Sequence, residues 1–341
     1  MWYDRFVAGT ENIIKNMEKI EKRIFEEIKK ADRILMHLHL GPDGDSLGSV
    51  LAVWRWLESL GKKVTVVSFD PVAEEFGFLE EVKKVKKADA AKLDFSQFDL
   101  WLALDSSDWN MITKNKNFRP PEDLMLINID HHKTNVNYGK LNLVLPEKSS
   151  VAEVLFELFK RWKVEIDKKI ATRLFLGIFM DTGGFFYLNT SPDTMRIGAE
   201  LLERGADKER IVLEVYRSKP LKTLEYWAAV LARMKIDKRG KFVISTIPRE
   251  ILKGLELGKS ERGGAAGQFL PLVKDTDFGV LLDEENPGEV SGSLRARTDF
   301  DVSKIAVAMG GGGHKAAAGF RMKGSIEEVE KKLRKVIERL T

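Results

Sequence analysis

The chain has 341 residues, 43% of them apolar, with 56 basic and 52 acidic side chains and no cysteine. This length exceeds what one hydrophobic core usually supports, so we expect two domains. The net charge is only +4 because basic and acidic side chains are nearly balanced, which argues against a protein that coats DNA. The absence of cysteine excludes disulfide bonds and thiolate metal sites, and it favours a reducing, cytoplasmic location.

Residues 1–30 contain Asp, Glu, Lys and Arg throughout. Because they lack an uninterrupted apolar stretch, we expect neither a signal peptide nor a membrane span in this segment. We therefore expect no membrane partner.

Helix and strand patterns alternate from residue 10 to about residue 205. Apolar runs predict strands at 33–39, 63–69, 100–105 and 124–130, and helical periodicity predicts helices at 10–30, 45–60, 149–163, 167–179 and 191–204. This alternation is typical of an α/β fold with a mainly parallel sheet.

The C-terminal part has strand and helix patterns of its own, which predict a smaller α/β domain. We expect this domain to bind substrate, with the active-site cleft between the two domains. We expect a catalytic domain over 1–205, a linker over 206–222 and the second domain over 223–341. Ser325 and Glu328 form a capping-box pattern, which predicts a helix over about 326–340. The predicted buried stripe of this helix comprises Ile326, Val329, Leu333, Ile337 and Leu340.

Polar residues follow three of the predicted strands and the helix over 167–179. Ligands of open α/β sheets bind beyond the carboxyl ends of the strands, so we expect these side chains to converge. Imidazole and carboxylate groups together suit divalent cations such as Mn²⁺, Mg²⁺ or Co²⁺. The candidate residues are His39, Asp43, Asp45, Asp105, Asp130, His131, His132 and Asp181.

Four of these residues would bring four carboxylates into one site. Two divalent ions would neutralise Asp43, Asp45, Asp105 and Asp181, which otherwise repel one another. His37 lies on the same strand face as His39 but deeper in the sheet, so we expect it to pack or support the site rather than bind metal.

Candidate substrate contacts lie in the second domain. Along 289–297, alternation places Val290, Gly292, Leu294 and Ala296 on one face and Ser291, Ser293, Arg295 and Arg297 on the other. Guanidinium groups bind phosphate oxygens, and consecutive glycines let backbone N–H groups approach an anion. The candidate substrate-binding residues are Ser293, Arg295, Arg297, Gly311, Gly312, Gly313 and His314.

The motifs resemble those of a known family. The runs His39-x-x-Pro42-Asp43-Gly44-Asp45, Asp105, Asp130-His131-His132 and Asp181-Thr182-Gly183-Gly184-Phe185 resemble the successive motifs of the DHH phosphoesterases. The glycines at 310–313 with His314 resemble the signature of the DHH-associated C-terminal domain. Length and motif content resemble the NrnA-type subgroup.

The resemblance implies a hydrolase with two divalent metal ions. Mn²⁺ is the first candidate, and Mg²⁺ and Co²⁺ are the alternatives. A hydroxide bridging the two metals would attack the phosphoester in line. One metal would be held by His39, Asp43 and Asp105. The other would be held by Asp45, Asp105, His131 and Asp181. His132 would face the scissile phosphate as a catalytic residue, and Asp130 would orient the histidines.

The implied substrates are short single-stranded RNA or DNA oligonucleotides, cleaved to mononucleotides, and 3′-phosphoadenosine 5′-phosphate, converted to AMP. A RecJ-like single-strand exonuclease and a cyclic or linear dinucleotide phosphodiesterase stay open as alternatives. A long-strand exonuclease would need an extended basic groove, which the modest net charge argues against. A nucleotide-sensing scaffold without turnover is a remote alternative. The sequence does not set the oligomeric state, and a homodimer is among those it allows.

Overall fold

The computed structural model of the protein describes residues 2–239, 241–255, 257, 259–313 and 315–340. Side chains are described from residue 16 onward within these ranges, except at 259–261 and 263. The chain forms two compact units, Met1–Ser218 and Lys219–Thr341, each with its own sheet and hydrophobic core.

The first unit is built on a six-stranded parallel sheet with the order β3-β2-β1-β4-β5-β6. Its strands are β1 (Arg33–Leu38), β2 (Lys63–Ser68), β3 (Lys86–Lys87), β4 (Leu100–Leu104), β5 (Met125–Asp130) and β6 (Leu141–Val144). The predicted α/β fold with a mainly parallel sheet is confirmed. The two edge strands escaped prediction because two and four residues are too few to show an apolar pattern.

Helices cover the sheet of the first unit. They are α1 (Trp2–Lys30), α2 (Gly44–Ser59), α3 (Val151–Arg161), α4 (Lys168–Asp181), α5 (Pro192–Glu203) and α6 (Lys208–Ile211). A π-helical turn, Val212–Tyr216, follows α6. Ile211 and Val215 are buried in the core of the first unit, so the segment predicted as a linker starts with residues that pack in this unit.

Alternating side chains of β1 face two separate apolar clusters. Ile34, Met36 and Leu38 pack in the large cluster with residues of α2, α3 and α4. Leu35 packs on the other side in a cluster that contains Trp101. Strands that are buried on both faces read as continuous apolar runs, which is why the sequence located β1 and β4.

Close packing of α2 against α4 brings the end of α4 to the strand termini. A Cβ atom added to Gly48 of α2 would lie 2.3 Å from the carbonyl oxygen of Arg173 in α4. A Cβ atom added to Gly177 would lie 2.6 Å from both Ala152 Cβ and Asp45 Oδ1. Only glycine permits this approach, and it sets the position of Asp181 at the last turn of α4.

The second unit contains a mixed six-stranded sheet with the order β11-β12-β10-β9-β8-β7. Only the β8–β9 pair is parallel among the described strand pairs of this sheet. Its strands are β7 (Lys235–Asp237), β8 (Phe242–Ile247), β9 (Phe278–Asn286), β10 (Glu289–Ala296), β11 (Gly312–Gly313) and β12 (Ala317–Lys323). Its helices are α7 (Leu221–Ala232), α8 (Arg249–Leu252), α9 (Lys259–Phe269), α10 (Val302–Ala308) and α11 (Ile326–Leu340).

The start of α11 has the predicted capping box. Glu328 N donates to Ser325 Oγ at 3.2 Å, and Ser325 N donates to Glu328 Oε2 at 2.9 Å. The predicted stripe is buried except at Leu340, which is 43% exposed. That prediction was wrong because Leu340 is the last residue of the helix, where periodicity continues but no core residue covers the side chain.

No helix in the described part of the chain is both long enough and apolar enough to cross a membrane.

Candidate metal centre

The first motif forms the junction between β1 and α2. His39 follows the end of β1 and is 6% exposed. Asp43 caps α2, because its Oδ1 accepts hydrogen bonds from the backbone N–H groups of Asp45 and Ser46, both at 3.0 Å. His39 Nε2 lies 3.4 Å from Asp43 Oδ2.

Asp45 joins this junction to a distant helix. Its Oδ2 accepts a hydrogen bond from Val151 N at 2.6 Å, and its Oδ1 accepts one from Ala152 N at 2.9 Å. Ser49 Oγ donates to Oδ1 at 3.1 Å. Because the N-terminal end of α3 carries partial positive charge, this buried carboxylate is stabilised there.

Asp105 follows β4 in a left-handed backbone conformation with φ of 54°. Its side chain is 2% exposed, and its Oδ1 has no hydrogen-bond partner. His131 Nε2 lies 3.7 Å from this oxygen and His132 Nδ1 lies 3.6 Å from it, while His39 Nε2 lies 3.5 Å from Oδ2. Burying a carboxylate oxygen without a partner is costly, and a bound cation removes that cost.

The residues at the end of β5 have different partners. Asp130 Oδ1 accepts a hydrogen bond from His132 Nδ1 at 2.8 Å, and its Oδ2 accepts one from Asn135 Nδ2 at 2.5 Å. His131 Nδ1 lies 3.3 Å from the carbonyl oxygen of Lys148. Asp130 therefore bonds the ring of His132 and the backbone N–H of His131, whereas the His131 ring lies against a backbone carbonyl group.

Asp181 reaches the site from the C-terminal end of α4. Its Oδ2 lies 3.2 Å from His131 Nε2. Asn189 Nδ2 donates to the carbonyl oxygens of Asp181 and Ser149, at 3.0 and 3.2 Å, and so fastens the loop after α4 to this end of the helix.

The structure brings seven of the predicted side chains into three donor groups. Within each group the ligand atoms lie within 4.8 Å of one another. The groups are His39 with Asp43 and Asp105, Asp45 with His131 and Asp181, and Asp105 with His131 and His132. Nitrogen and carboxylate oxygen donors at this spacing fit divalent transition-metal ions.

The electrostatics of the site also fit cations. Burial raises the pKa of Asp181 to about 10, and repulsion by Asp45 and Asp105 adds to the effect. Burial and the Asp105 and Asp43 charges also raise the pKa of Asp45 well above its usual value. Burial alone would lower the pKa of His39, but Asp105 and Asp43 raise it to about 11. Without cations, the site would therefore take up protons to balance its carboxylates.

His37 lies outside these donor groups. It is 1% exposed, and burial together with the neighbouring His39 lowers its pKa to about 3. It contacts Trp101 and Ser106 by hydrogen bonds. It is therefore a neutral, buried histidine.

The predicted substrate-binding residues lie in the second unit. Val290 and Leu294 of β10 are buried, whereas Ser293 and Arg295 on the opposite face are partly exposed, as the alternation predicts. Arg297 lies beyond the end of β10, where its Nη1 donates to the carbonyl oxygen of Thr276 at 3.0 Å.

The glycine run has a packing role in the described structure. Gly311 N donates to the carbonyl oxygen of Ala306 at 2.8 Å, so this N–H already has a partner. A Cβ atom at Gly311 would lie 2.1 Å from the carbonyl oxygen of Gly319. Gly312 and Gly313 form β11 beside β12. His314 lies outside the described residues.

Sequence reasoning missed several residues that hold the site in place. They are Ser49, Asn135, Lys148 and Asn189. Ser49, one turn after Asp45, carries a local signal, since i and i+4 residues share a helix face. The contacts of Lys148 and Asn189 depend on loop conformation and leave no pattern in the sequence.

Comparisons with known proteins identify two domains in the chain. The N-terminal domain of the DHH family matches residues 33–178, and the DHHA1 domain matches residues 239–341. All of the proposed donors except Asp181 lie within the first match.

Similar proteins cover most of the chain. The bifunctional oligoribonuclease and PAP phosphatase NrnA of Thermus thermophilus is 30% identical over 304 residues, which are 89% of this chain and 88% of the relative. A probable bifunctional oligoribonuclease and PAP phosphatase NrnA of Streptococcus mutans is 28% identical over 87% of this chain and 92% of the relative. The crystal structure of an exopolyphosphatase-related protein from Bacteroides fragilis has a TM-score of 0.88 at 26% identity, covering 94% of this chain and 96% of that one. The chain is therefore a member of the DHH family of phosphoesterases.

Proposed function

We propose that the protein hydrolyses short oligoribonucleotides to mononucleotides and converts 3′-phosphoadenosine 5′-phosphate to AMP. The observation that carries this proposal is the buried Asp105 carboxylate, which has an oxygen without a hydrogen-bond partner and stands among three histidines. The names of the similar proteins support the choice of substrates.

Two divalent ions, with Mn²⁺ as the first candidate, would occupy the site. His39, Asp43 and Asp105 would hold one ion. Asp45, Asp105, His131 and Asp181 would hold the other. When bound, such ions neutralise phosphate charge and acidify water near neutral pH. Asp45 would contribute to binding while its hydrogen bonds to Val151 and Ala152 keep its carboxylate in place.

His132 is the candidate catalytic residue that contacts the substrate. Its Nδ1–H donates to Asp130, which leaves Nε2 for a phosphate or leaving-group oxygen. Burial would lower the pKa of His132, but Asp130 and Asp105 raise it to about 8. A protonated His132 would stabilise charge on the phosphate and deliver a proton to the departing oxygen. Asp130 would hold the ring in the required orientation.

The nucleobases of the substrate would bind to exposed aromatic side chains in the loop after Asp181. The loop that follows Asp181 exposes Phe186 and Tyr187, by 79% and 56% respectively. Bases of single strands stack on such aromatic rings. Ser293, Arg295, Arg297, Gly312, Gly313 and His314 of the second unit are candidates for phosphate contacts, whereas the N–H group of Gly311 is already bonded to the Ala306 carbonyl oxygen. We place this activity in the cytoplasm, since a chain without disulfide bonds suits that compartment.

A hydrolysis panel tests the proposal. The substrates are 3′-phosphoadenosine 5′-phosphate, a ribodinucleotide, a cyclic dinucleotide, and RNA and DNA strands of about 20 residues, each with Mn²⁺ and with EDTA. We expect Mn²⁺-dependent turnover of the first two, with a loss of roughly a hundredfold or more in Asp105→Ala, because a proposed ligand of both ions is removed.

The alternatives give different results in the same panel. Faster turnover of long strands would indicate a RecJ-like exonuclease, and preference for the cyclic dinucleotide would indicate a phosphodiesterase of that class. No turnover of any substrate would overturn the enzymatic proposal and favour the scaffold.

A further inference from the structure

A buried chain of hydrogen bonds ends beside Asp105. Trp101 Nε1 lies 3.0 Å from His37 Nδ1, and His37 Nε2 lies 3.1 Å from Ser106 Oγ. Ser106 Oγ lies 3.3 Å from the carbonyl oxygen of Leu104. Trp101 and Ser106 are fully buried and His37 is 1% exposed, so solvent does not compete for these bonds.

The chemistry of the groups fixes the direction of every bond in this chain. An indole N–H can only donate, so His37 Nδ1 accepts and its Nε2 carries the proton. His37 therefore donates to Ser106 Oγ, and the Ser106 hydroxyl hydrogen is left to point at the carbonyl oxygen of Leu104. The Ser106 hydroxyl group thus joins the two residues that flank Asp105 in sequence, and His37 fixes the direction of that hydroxyl group.

The carbonyl group of Ser106 is held from the other side. It accepts hydrogen bonds from Tyr138 Oη at 3.0 Å and from Asn128 Nδ2 at 3.2 Å. The carbonyl groups before and after Asp105 are thus both hydrogen-bonded, and the backbone of Asp105 between them has a φ of 54°. Non-glycine residues seldom adopt this conformation, and here hydrogen bonds to the residues on both sides of Asp105 support it.

We propose that His37 and Ser106 are positioning residues for Asp105, and that they set the affinity of the metal centre for divalent cations. The inference rests on the proposed role of Asp105 as a ligand of both ions. If the Leu104–Ser106 segment relaxes, the Asp105 carboxylate moves away from the other side chains that would hold the two ions. Neither His37 nor Ser106 belongs to the three donor groups that would hold the ions.

The test measures Mn²⁺ affinity of the full chain by equilibrium titration, with hydrolysis as a second readout. Ser106→Ala removes the hydroxyl group with little change of volume. His37→Phe removes the hydrogen bonds to both Trp101 and Ser106. We expect the dissociation constant for Mn²⁺ to rise by roughly tenfold or more in both variants. Ser245→Ala is the matched control, since Ser245 is a fully buried serine of the second unit whose hydroxyl donates to the Val230 carbonyl. It should bind Mn²⁺ as the wild type does.

A double-mutant cycle separates positioning from a general loss of stability. In an Asp105→Ala background, Ser106→Ala should leave the already weakened Mn²⁺ affinity unchanged, because its effect acts through Asp105. An equal loss in both backgrounds, or wild-type affinity in the single variant, would overturn the inference. A wild-type protein that binds no Mn²⁺ would instead overturn the metal centre itself.

Discussion

The carboxyl group of Asp283 in β9 is buried against the hydroxyl group of Tyr226, which lies 2.9 and 2.8 Å from its two oxygens. Burial raises the pKa of Asp283 to about 6, although Tyr226 and Arg262 act in the opposite direction. The unfolded carboxyl group titrates near 3.8, so the folded chain retains this proton over a higher pH range.

This shift predicts a loss of stability with rising pH. The contribution of Asp283 is unaffected below about pH 4, falls between pH 4 and 6, and stays reduced above that range by about 2–3 kcal/mol. Asp283→Asn keeps an acceptor for Tyr226 and removes the charge. Urea unfolding at pH 4 and pH 7 should show the variant gaining stability relative to wild type as pH rises. Parallel pH profiles for the two proteins would contradict the prediction.

The exposed ring of Phe186 predicts a substrate effect without a stability effect. Loss of base stacking typically costs about 1–3 kcal/mol per base, so Phe186→Ala should lower kcat/KM on a ribodinucleotide by roughly fivefold to a hundredfold. Its Tm should stay unchanged because the side chain is 79% exposed. Leu60→Ala is the control. Leu60 is 48% exposed and follows the C-terminal end of α2, whereas Asp45 lies in the first turn of that helix. Equal kcat/KM for the two variants would contradict a stacking role.

Among the elements, the α2–α4 pair positions ligands that are far apart in the sequence. Asp45 lies in the first turn of α2 and Asp181 in the last turn of α4. Their relative placement depends on the contact of Gly48 with the backbone of Arg173, where a side chain has no space.

Gly48→Ala should therefore force these helices apart. We expect the free energy of unfolding to fall by about 1–3 kcal/mol, as for other overpacked sites, and Mn²⁺ binding to weaken with it. Gly267→Ala in α9 is the matched helical control, because the nearest atom to its added Cβ is Arg295 Nε at 3.8 Å. That variant should be neutral or more stable by up to about 1 kcal/mol. Chemical denaturation of both variants checks the prediction, and equal stabilities would contradict it.

At the scale of the whole molecule, the acidic centre links cation binding to folding. Mn²⁺ at about 100 times its dissociation constant should stabilise the protein by about 2.7 kcal/mol, since ligands that bind only the folded state shift the unfolding equilibrium. For a unit of this size we expect Tm to fall by roughly 5–10 °C in EDTA and to recover with Mn²⁺. Differential scanning calorimetry measures this effect. In Asp105→Asn the Mn²⁺ response should largely disappear, and an unchanged wild-type Tm in both conditions would count against the metal centre.

Local patterns in the sequence located the main strands and helices, the alternating faces of β10 and the capping box of α11. Each of these features depends on neighbouring residues, whose periodicity and capping chemistry appear directly in the sequence. The same reasoning placed the polar motifs at the ends of parallel strands, which is sufficient to expect His39, Asp105 and His131 near one another. It overextended the buried stripe to Leu340 because periodicity contains no information about where the core ends.

Tertiary structure alone decided how the centre is held together. The bonds of Asp45 to the start of α3, of His131 to the Lys148 carbonyl and of His37 to Ser106 join segments that are 17 to 107 residues apart. Such contacts depend on strand register, helix approach and loop conformation, each of which is set by the packing of the complete unit. The sequence by itself determined which chemical groups the protein has and at which strand ends they stand. The packed fold determined which of their atoms meet, because hydrogen-bond geometry is sensitive to shifts of less than an ångström that no local pattern encodes.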